Sequence, residues 1–362
     1  MKKCLGVLTG GGDCPGLNAV IRAITKTALV KGYEIIGFKD GFEGMIRNDF
    51  VSLDSEIVSG ILTQGGTILG TSNSANPYRY PTAGSKKPLK FIDASKKVIV
   101  NYKKNRLSGL IVIGGDGTIA IANELYKDGL KIIGIPKTID NDLYGTDVTF
   151  GFETAVVTAS DAIDKIHTTA KSHHRVMVVE VMGRYAGWIA LYSGVAAGGD
   201  IILIPEIPYH IKYINKKIIE RRKKGKNSTI IVVAEGAKPV GGKLTVSRVV
   251  KKSTDQIRLG GIGIKIADEI EKVLGVEARA TVLGHVQRGG IPTPFDRILA
   301  TRFGTEAVNM FVSNDFGKMI VYRNNDISNV SLEEATKELK LVPKNHHLIT
   351  SARLIGMSFG DK

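Results

Sequence analysis

Two acidic motifs in this sequence stand where phosphate chemistry could use them. Asp116 lies between glycines in "GGDGT", residues 114–118, and Asp140 and Asp142 lie two apart in "PKTIDND", residues 136–142. A glycine turn that ends an apolar run and opens a helix offers backbone N–H groups and a helix dipole to an anion. A carboxylate inside that turn repels the anion unless a divalent cation stands between them. Mg²⁺, held by Asp116 directly or through water, would do so, while Gly115 and Gly117 let a polyphosphate approach the backbone. Thr118 would then cap the helix and donate to a phosphate. An Asp that merely satisfies its own turn is the plainer reading of the same string.

In "PKTIDND" an extended strand would point Thr138, Asp140 and Asp142 the same way. One carboxylate could take the proton of an attacking hydroxyl while Lys137 and Thr138 hold the transferred phosphoryl group. An Asp/Asn-rich turn needs one or two such residues and does not call for the Lys and Thr beside them. In "TGGGDCPGLNAV", Gly10, Gly11 and Gly12 separate a strand from a helix and could turn amides toward an anion. The string lacks the Lys of a P-loop and is a poor dinucleotide fingerprint; a plain tight turn would look the same. Arg175 and Arg184 flank the strand in "RVMVVEVMGRYAGW", and either suits a phosphomonoester. His285 and Arg288 follow the strand of "RATVLGHVQRGG", with Arg279 one strand-length earlier, a set that could bind a sugar phosphate. His173 and His174 diverge at a strand entrance and are not read as a metal pair, and Trp188 is read as packed on a helix.

The elements that must position these groups alternate along the chain. Apolar runs such as "CLGVLTG", "GLIVIGGDG", "KIIGIPKT", "RVMVVEVMG" and "TIIVVAEG" end in Gly or polar turns and are separated by helix-like segments. Continuous apolar strands of this kind belong to parallel sheets covered on both faces, an α/β architecture whose ligands sit beyond the strands' carboxyl ends. The polar clusters fall there, at residues 9–16, 114–118, 136–142, 182–187, 235 and 285–290. There is no internal repeat or low-complexity tract. "NPYRYPTAGSKKPLKF" and "AKPVGGKLTVSRVVKKS" read as surface loops.

At 362 residues the chain fits roughly two domains. No apolar run approaches the ~20 residues of a membrane span, and the apolar part of "MKKCLGVLTG" is too short for a signal peptide. Cys4 and Cys14 make neither a disulfide framework nor a metal set, so a reducing cytoplasm is the expected location. The net charge of +15 comes largely from scattered lysines in solvated stretches such as "IKYINKKIIERRKKGKNS". Without RNA-binding aromatics or zinc-finger spacing, small anionic ligands are the expected partners, not nucleic acid or membrane.

Together, "GGDGT", "PKTIDND", "MGRYAGWIA" and "LGHVQRGGIPTPFDR" resemble, in order and spacing, the 6-phosphofructokinases of the A-type branch that mixes ATP and pyrophosphate users. The resemblance spans nearly the whole chain; NAD and lipid kinases share only "GGDGT". It implies an α/β fold of two doubly wound domains with mainly parallel sheets. Residues 1–150 plus 286–336 would bind the phosphoryl donor, and 151–285 plus 337–362 would bind fructose 6-phosphate. The implied reaction transfers a phosphoryl group to the 1-hydroxyl, giving fructose 1,6-bisphosphate in glycolysis. Asp140 would be the general base, with Thr138 and Arg184 catalytic beside it. Gly12, Gly115, Asp116, Gly117, Thr118 and Lys137 would hold the donor, with Asp116 serving Mg²⁺. Thr138, Ile139, Asp140, Asp142, Met182, Gly183, Arg184, Glu235, His285 and Arg288 would contact the sugar phosphate. Arg175 and Arg279 would reach a neighbouring subunit's sugar site, which implies a homotetramer or homodimer.

Donor choice turns on two positions. Gly117 matches ATP users, where pyrophosphate users carry a second Asp that would crowd and repel the α-phosphate. Lys137 resembles pyrophosphate users, but a Lys can swing aside where a buried Asp cannot, so ATP is the expected donor and pyrophosphate the alternative. The family's usual Arg after "GGTILGTS" is Asn73 here, which leaves Arg79 to reach in, a weaker turnover, or a sugar-phosphate-binding regulatory subunit. Of the family's effector site, Arg22 is kept while Lys26 and Asp49 depart from it, so allosteric control is not expected to carry over.

Overall fold

A computed structural model describes residues 3–82, 90–249 and 257–362. In chain order, β1 (Cys4–Thr9), α1 (Leu17–Val30), β2 (Glu34–Phe38), α2 (Phe42–Arg47) and β3 (Phe50–Ser52) come first. A short ribbon of β4 (Tyr80–Pro81) and β5 (Phe91–Ile92) precedes α3 (Ser95–Lys104), β6 (Leu107–Gly114), α4 (Asp116–Lys127) and β7 (Ile132–Pro136). The long α5 (Phe152–His173) leads to β8 (Val176–Val181), α6 (Trp188–Ala196), β9 (Ile201–Leu203), α7 (Ile211–Lys223) and β10 (Thr229–Ala234). A second ribbon, β11 (Val246–Val249) with β12 (Ile257–Leu259), is followed by α8 (Ile262–Leu274), β13 (Ala278–Val282) and α9 (Pro294–Val312). Last come β14 (Lys318–Arg323), β15 (Asp326–Ser331), α10 (Leu332–Ala335) and α11 (His347–Leu354).

Two sheets result. The first runs β15-β14-β7-β6-β1-β2-β3, parallel through its five inner strands and antiparallel at both edges. The second runs β13-β8-β10-β9, all parallel. Alternate residues of each strand go to opposite faces, and both faces are covered. On the first sheet Leu5, Val7, Ile111 and Ile113 pack with α1 and α9, while Leu8, Leu110, Val112 and Ile132 pack with α2, α3, α4 and α10. On the second, Val179 and Val232 join α5 and α6 in the core shared with the first sheet, while Val178 and Val233 face α7 and α8. The α/β fold class is the one that the alternating strands and helices imply.

The joint between the two layers is built from polar caps. Helix α9 starts at Thr293-Pro294, with the Thr293 hydroxyl accepting from Asp296 N at 3.3 Å, a cap plus a proline already set for the first turn. Buried Asp296 accepts from Thr154 N (2.8 Å) and Thr154 Oγ1 (2.5 Å), fixing the start of α9 to the start of α5. The two stretches read as surface loops are corrected in part. Val246–Val249, within a stretch rich in β-branched residues, forms β11, and Tyr80–Pro81 pairs with Phe91–Ile92. Their central residues, 83–89 and 250–256, lie outside the described residues.

Candidate active site

The inner strands β7, β6 and β1 are neighbours, so the segments after them meet at one carboxyl edge. Gly10 N donates to Ile113 O (2.9 Å) and Lys137 N to Gly114 O (3.0 Å), which pins the three ends together. Thr118 is buried between them. A Cβ at Gly10 or Gly114 would come within 2.7 or 2.3 Å of its side chain. Thr118 is therefore a packing residue here and not the helix cap the sequence suggested. Helix α4 already starts at Asp116, with Gly115 as its N-cap and no side-chain cap, because an acid in the first turn suits the dipole. Asp116 and Gly117 are exposed, and a Cβ at Gly117 would meet nothing within 4 Å.

Lys137 is buried, with its ammonium donating to Gly12 O. Burial lowers its pKa, Arg288 adds to this, and Cys14, Asp13 and Asp116 work against it. Arg288 comes from far along the chain to the same loop. Its Nη1 donates to Asp13 O at 3.0 Å, and a Cβ on Gly12 would lie 2.3 Å from that nitrogen.

Residues 138–142 are not the extended strand their spacing suggested. Strand β7 stops at Pro136, Thr138 Oγ1 accepts from Asp140 N (3.1 Å), and Asn141 has φ +52°. Asn tolerates the left-handed region, so the chain turns between the two aspartates. Asp140 Oδ1 is buried with no hydrogen-bond partner. Burial raises its pKa, opposed by Arg288, Lys137 and Arg184. Asp142 is pushed up to about 8, first by burial and then by Asp140 and Asp116. The Ile139 side chain is wholly inside the core, leaving only its backbone for a ligand.

The second sheet brings its own carboxyl edge to this place. Met182 N donates to Gln287 Oε1 (3.3 Å), and Gln287 Nε2 donates to Gly284 O (3.1 Å), joining the ends of β8 and β13. Gly183 has φ +135°, and a Cβ there would meet Ala186 O at 2.8 Å. Glu235 N donates to Val181 O at 2.9 Å. Its carboxyl is pushed up to about 7 by burial, then by Asp140 and Glu180, against Arg288 and Arg184. These mutual influences set Asp140, Arg184, Glu235 and Arg288 near one another at one site. The Arg184 guanidinium lies 5.0 Å from the Tyr185 ring, and His285 is exposed.

Arg175 and Arg279 are not brought to that site. They stand toward the amino edge of the second sheet, where Arg175 pairs with Glu277 (2.7 Å) and Arg279 with Glu271 (2.7 Å) and Glu277 (2.9 Å). The segment before Asn73 does border the glycine turn, through Thr71 Oγ1 to Gly11 O (2.6 Å) and Gly11 N to Ser72 O (3.3 Å). Arg79 stacks 4.6 Å over Phe91 in the β4–β5 ribbon. Two residues of the site's frame were missed. Gln287 lay inside a string already singled out, whereas Lys340, whose ammonium grips the 141–147 turn, carried no signal.

Mg²⁺ keeps much of its water and needs one or two carboxylates plus substrate phosphates. Exposed Asp116, next to the open space at Gly117, fits that requirement as a single carboxylate. Among the described residues there is no cluster of three or more His, Cys, Asp or Glu arranged for a metal.

Comparison with known proteins bears on the same residues. The sequence model of the phosphofructokinase family matches residues 4–311. "ATP-dependent 6-phosphofructokinase 2" of Clostridium perfringens is 52% identical over 361 residues, covering 99% of each chain. "Pyrophosphate–fructose 6-phosphate 1-phosphotransferase" of Amycolatopsis mediterranei is 50% identical over 340 residues, covering 94% of this chain and 96% of that one. The solved phosphofructokinase of Saccharomyces cerevisiae superposes with a TM-score of 0.77 at 32% identity, over 93% of this chain and 45% of that longer one. With a family match across most of its length and full-length relatives at about half identity, this chain belongs to the phosphofructokinase family.

Proposed function

We propose that this chain is an ATP-dependent 6-phosphofructokinase, transferring the terminal phosphoryl group of ATP to the 1-hydroxyl of fructose 6-phosphate in glycolysis. The observation that carries the reading is Asp140, half-buried, with its Oδ1 buried and unpartnered among the cations Arg288, Lys137 and Arg184. A base must keep an oxygen free for the proton it takes. As O1 of the sugar bonds to the γ-phosphorus, its proton passes to Asp140 and the bond to ADP breaks.

The other residues have roles that fit their placement. Arg184, Arg288, His285 and Glu235, with Thr138 and the backbone at Ile139, Met182 and Gly183, hold the sugar phosphate. Gly12, Gly115, Thr118 and Lys137 frame the donor, and the open space at Gly117 accepts the rest of a nucleotide. Asp116 would hold Mg²⁺, which when bound neutralises donor-phosphate charge. Asp142, whose carboxyl is pushed up to about 8 by burial and then by Asp140 and Asp116, stands beside the base. Residues 1–150 plus 286–336 form the donor side and 151–285 plus 337–362 the sugar side. In a homotetramer or homodimer, Arg175 and Arg279 would extend toward a neighbouring subunit. No described helix is long and apolar enough to cross a membrane, and the cytoplasm is the proposed location.

The pyrophosphate reading is favoured by one feature, the buried Lys137 ammonium beside Gly12. Assaying fructose 6-phosphate phosphorylation with Mg²⁺ and either ATP or pyrophosphate decides between them. Activity with ATP is expected. Activity with pyrophosphate alone would overturn the donor assignment, and none with either would favour a regulatory subunit.

A further inference from the structure

The family match ends at residue 311, yet a later residue is built into the catalytic turn. The segment around Leu339 pairs with Leu143, and Lys340 N donates to Asp142 O at 2.8 Å. The Lys340 ammonium donates to Asn141 Oδ1 (2.9 Å), Thr146 O (2.9 Å) and Asp147 O (2.8 Å). Those three acceptors use all three of its protons. Asn141 Oδ1 also accepts from Thr149 N at 3.1 Å, and Thr149 Oγ1 donates to Thr138 O at 2.7 Å. The residue that makes the left-handed turn next to Asp140 is thus held through its own side chain.

The same lysine faces the second layer. Its carbonyl accepts from Trp188 Nε1 (2.8 Å), and its ammonium lies 5.3 Å from that indole ring. Two residues on, Val342 N donates to Glu206 Oε1 (2.8 Å), which also accepts from Gly187 N at the start of α6 (3.0 Å). Residues 339–342 therefore strap the Asp140 turn of the first sheet to helix α6 of the second.

We propose that Lys340 is a positioning residue for phosphoryl transfer: its ammonium locks the Asn141 turn and so keeps the Asp140 carboxylate at the distance and angle the acceptor hydroxyl needs. This rests on the reading of Asp140 as the base. Without the ammonium, Asn141 Oδ1 and two carbonyls each lose a donor and the turn can relax. Displacement of a reacting group by about 1 Å costs on the order of 100-fold in rate. Of the groups placed around the sugar phosphate, Arg184, Glu235, His285 and Arg288 are not bound to the Asn141 turn by any of these hydrogen bonds, and only Thr138 and the backbone at Ile139 share it. The loss should therefore fall on kcat and leave sugar binding nearly intact.

The test is steady-state kinetics on the full chain, comparing Lys340→Met, Asn141→Gly and the double variant, with exposed Lys337→Met as control. Gly keeps the positive φ of position 141 while deleting the oxygen that the ammonium grips. If Lys340→Met does not fold, Asn141→Gly reads the same link from its other end. Expected is a kcat loss of about 10- to 100-fold in each single variant, with KM for fructose 6-phosphate within about twofold. The double variant should be no worse than the worse single one, because both break one connection. A folded Lys340→Met or Asn141→Gly with kcat within about twofold of the parent would overturn the proposal, as would a double variant whose losses multiply. A parent chain inactive with both donors would instead overturn the functional reading, and this role with it.

Discussion

The guanidinium of Arg288 lies so close over Gly12 that a Cβ there would stand 2.3 Å from its Nη1. The contact joins the first glycine loop to a turn that follows the last strand of the other sheet. It gives Gly12 a reason that has nothing to do with backbone freedom, since no side chain fits beneath Arg288. Gly12→Ala should displace a flexible guanidinium and not a piece of backbone, so the fold should survive. We expect a Tm within a few degrees of the parent and kcat/KM for fructose 6-phosphate reduced by about tenfold or more, one charged hydrogen bond or so in energy. Unchanged kinetics in the Ala variant would mean that the position of Arg288 is not needed for turnover.

Asp140 carries opposite consequences for activity and stability. An unpartnered buried carboxylate oxygen costs the fold and, on the reading of Asp140 as the base, serves the reaction. Asp140→Asn should lower kcat by about 10²- to 10⁴-fold, the usual worth of a positioned base. The same change should raise stability at neutral pH by roughly 1 kcal/mol, since a buried charge is replaced by a neutral amide. Turnover assays and chemical denaturation on one preparation check both halves. A variant that is slower and also less stable would assign Asp140 a structural role.

Much of this arrangement was legible in the sequence, and its gaps have physical causes. The strands showed because their apolar runs are buried on both faces, and the polar clusters after them marked the carboxyl edges. The residues placed at those ends came from local strings. What could not be read was how distant strings touch. Nothing near Gly12 announces Arg288, and nothing near Asn141 announces Lys340, because a lone lysine in "ELKLVPK" looks like any solvated one. The turn at 138–142 was misjudged because spacing by two suits a strand as well as a turn, and the choice was made by Asn141 adopting positive φ. Thr118 looked like a cap because its burial against Gly10 and Gly114 is a tertiary fact.

Glu235 makes a pH prediction with a definite sign. Its carboxyl is pushed up from 4.5 to about 7, chiefly by burial. Between those values the folded chain binds more protons than the unfolded one, so stability falls as pH rises through that window. Glu235→Gln removes this contribution. The variant should gain on the parent by on the order of 2 kcal/mol as pH goes from 4.5 to 8, with no relative gain below pH 4.5. Asp142, raised to about 8, acts in the same direction in both proteins and cancels in the difference. Urea denaturation of the pair across that range is the measurement, and a constant difference at every pH would remove the burial argument.

The donor prediction concerns the space at Gly117. Position 117 is exposed on the first turn of α4, and an added Cβ meets nothing within 4 Å. An acidic side chain there suits the helix dipole, so Gly117→Asp should fold as well as the parent. Its cost should appear only with a bound nucleotide, where a second carboxylate next to Asp116 repels the α-phosphate. We expect kcat/KM for ATP to fall by about 100-fold or more, the scale of an unscreened like-charge contact of roughly 3 kcal/mol. Activity with pyrophosphate, which has no third phosphate to repel, should hold or rise. Equal losses with the two donors would show that the added charge harms what they share, the transferred phosphoryl group and the phosphate it leaves, and would shift the choice of donor from Gly117 to the buried ammonium of Lys137.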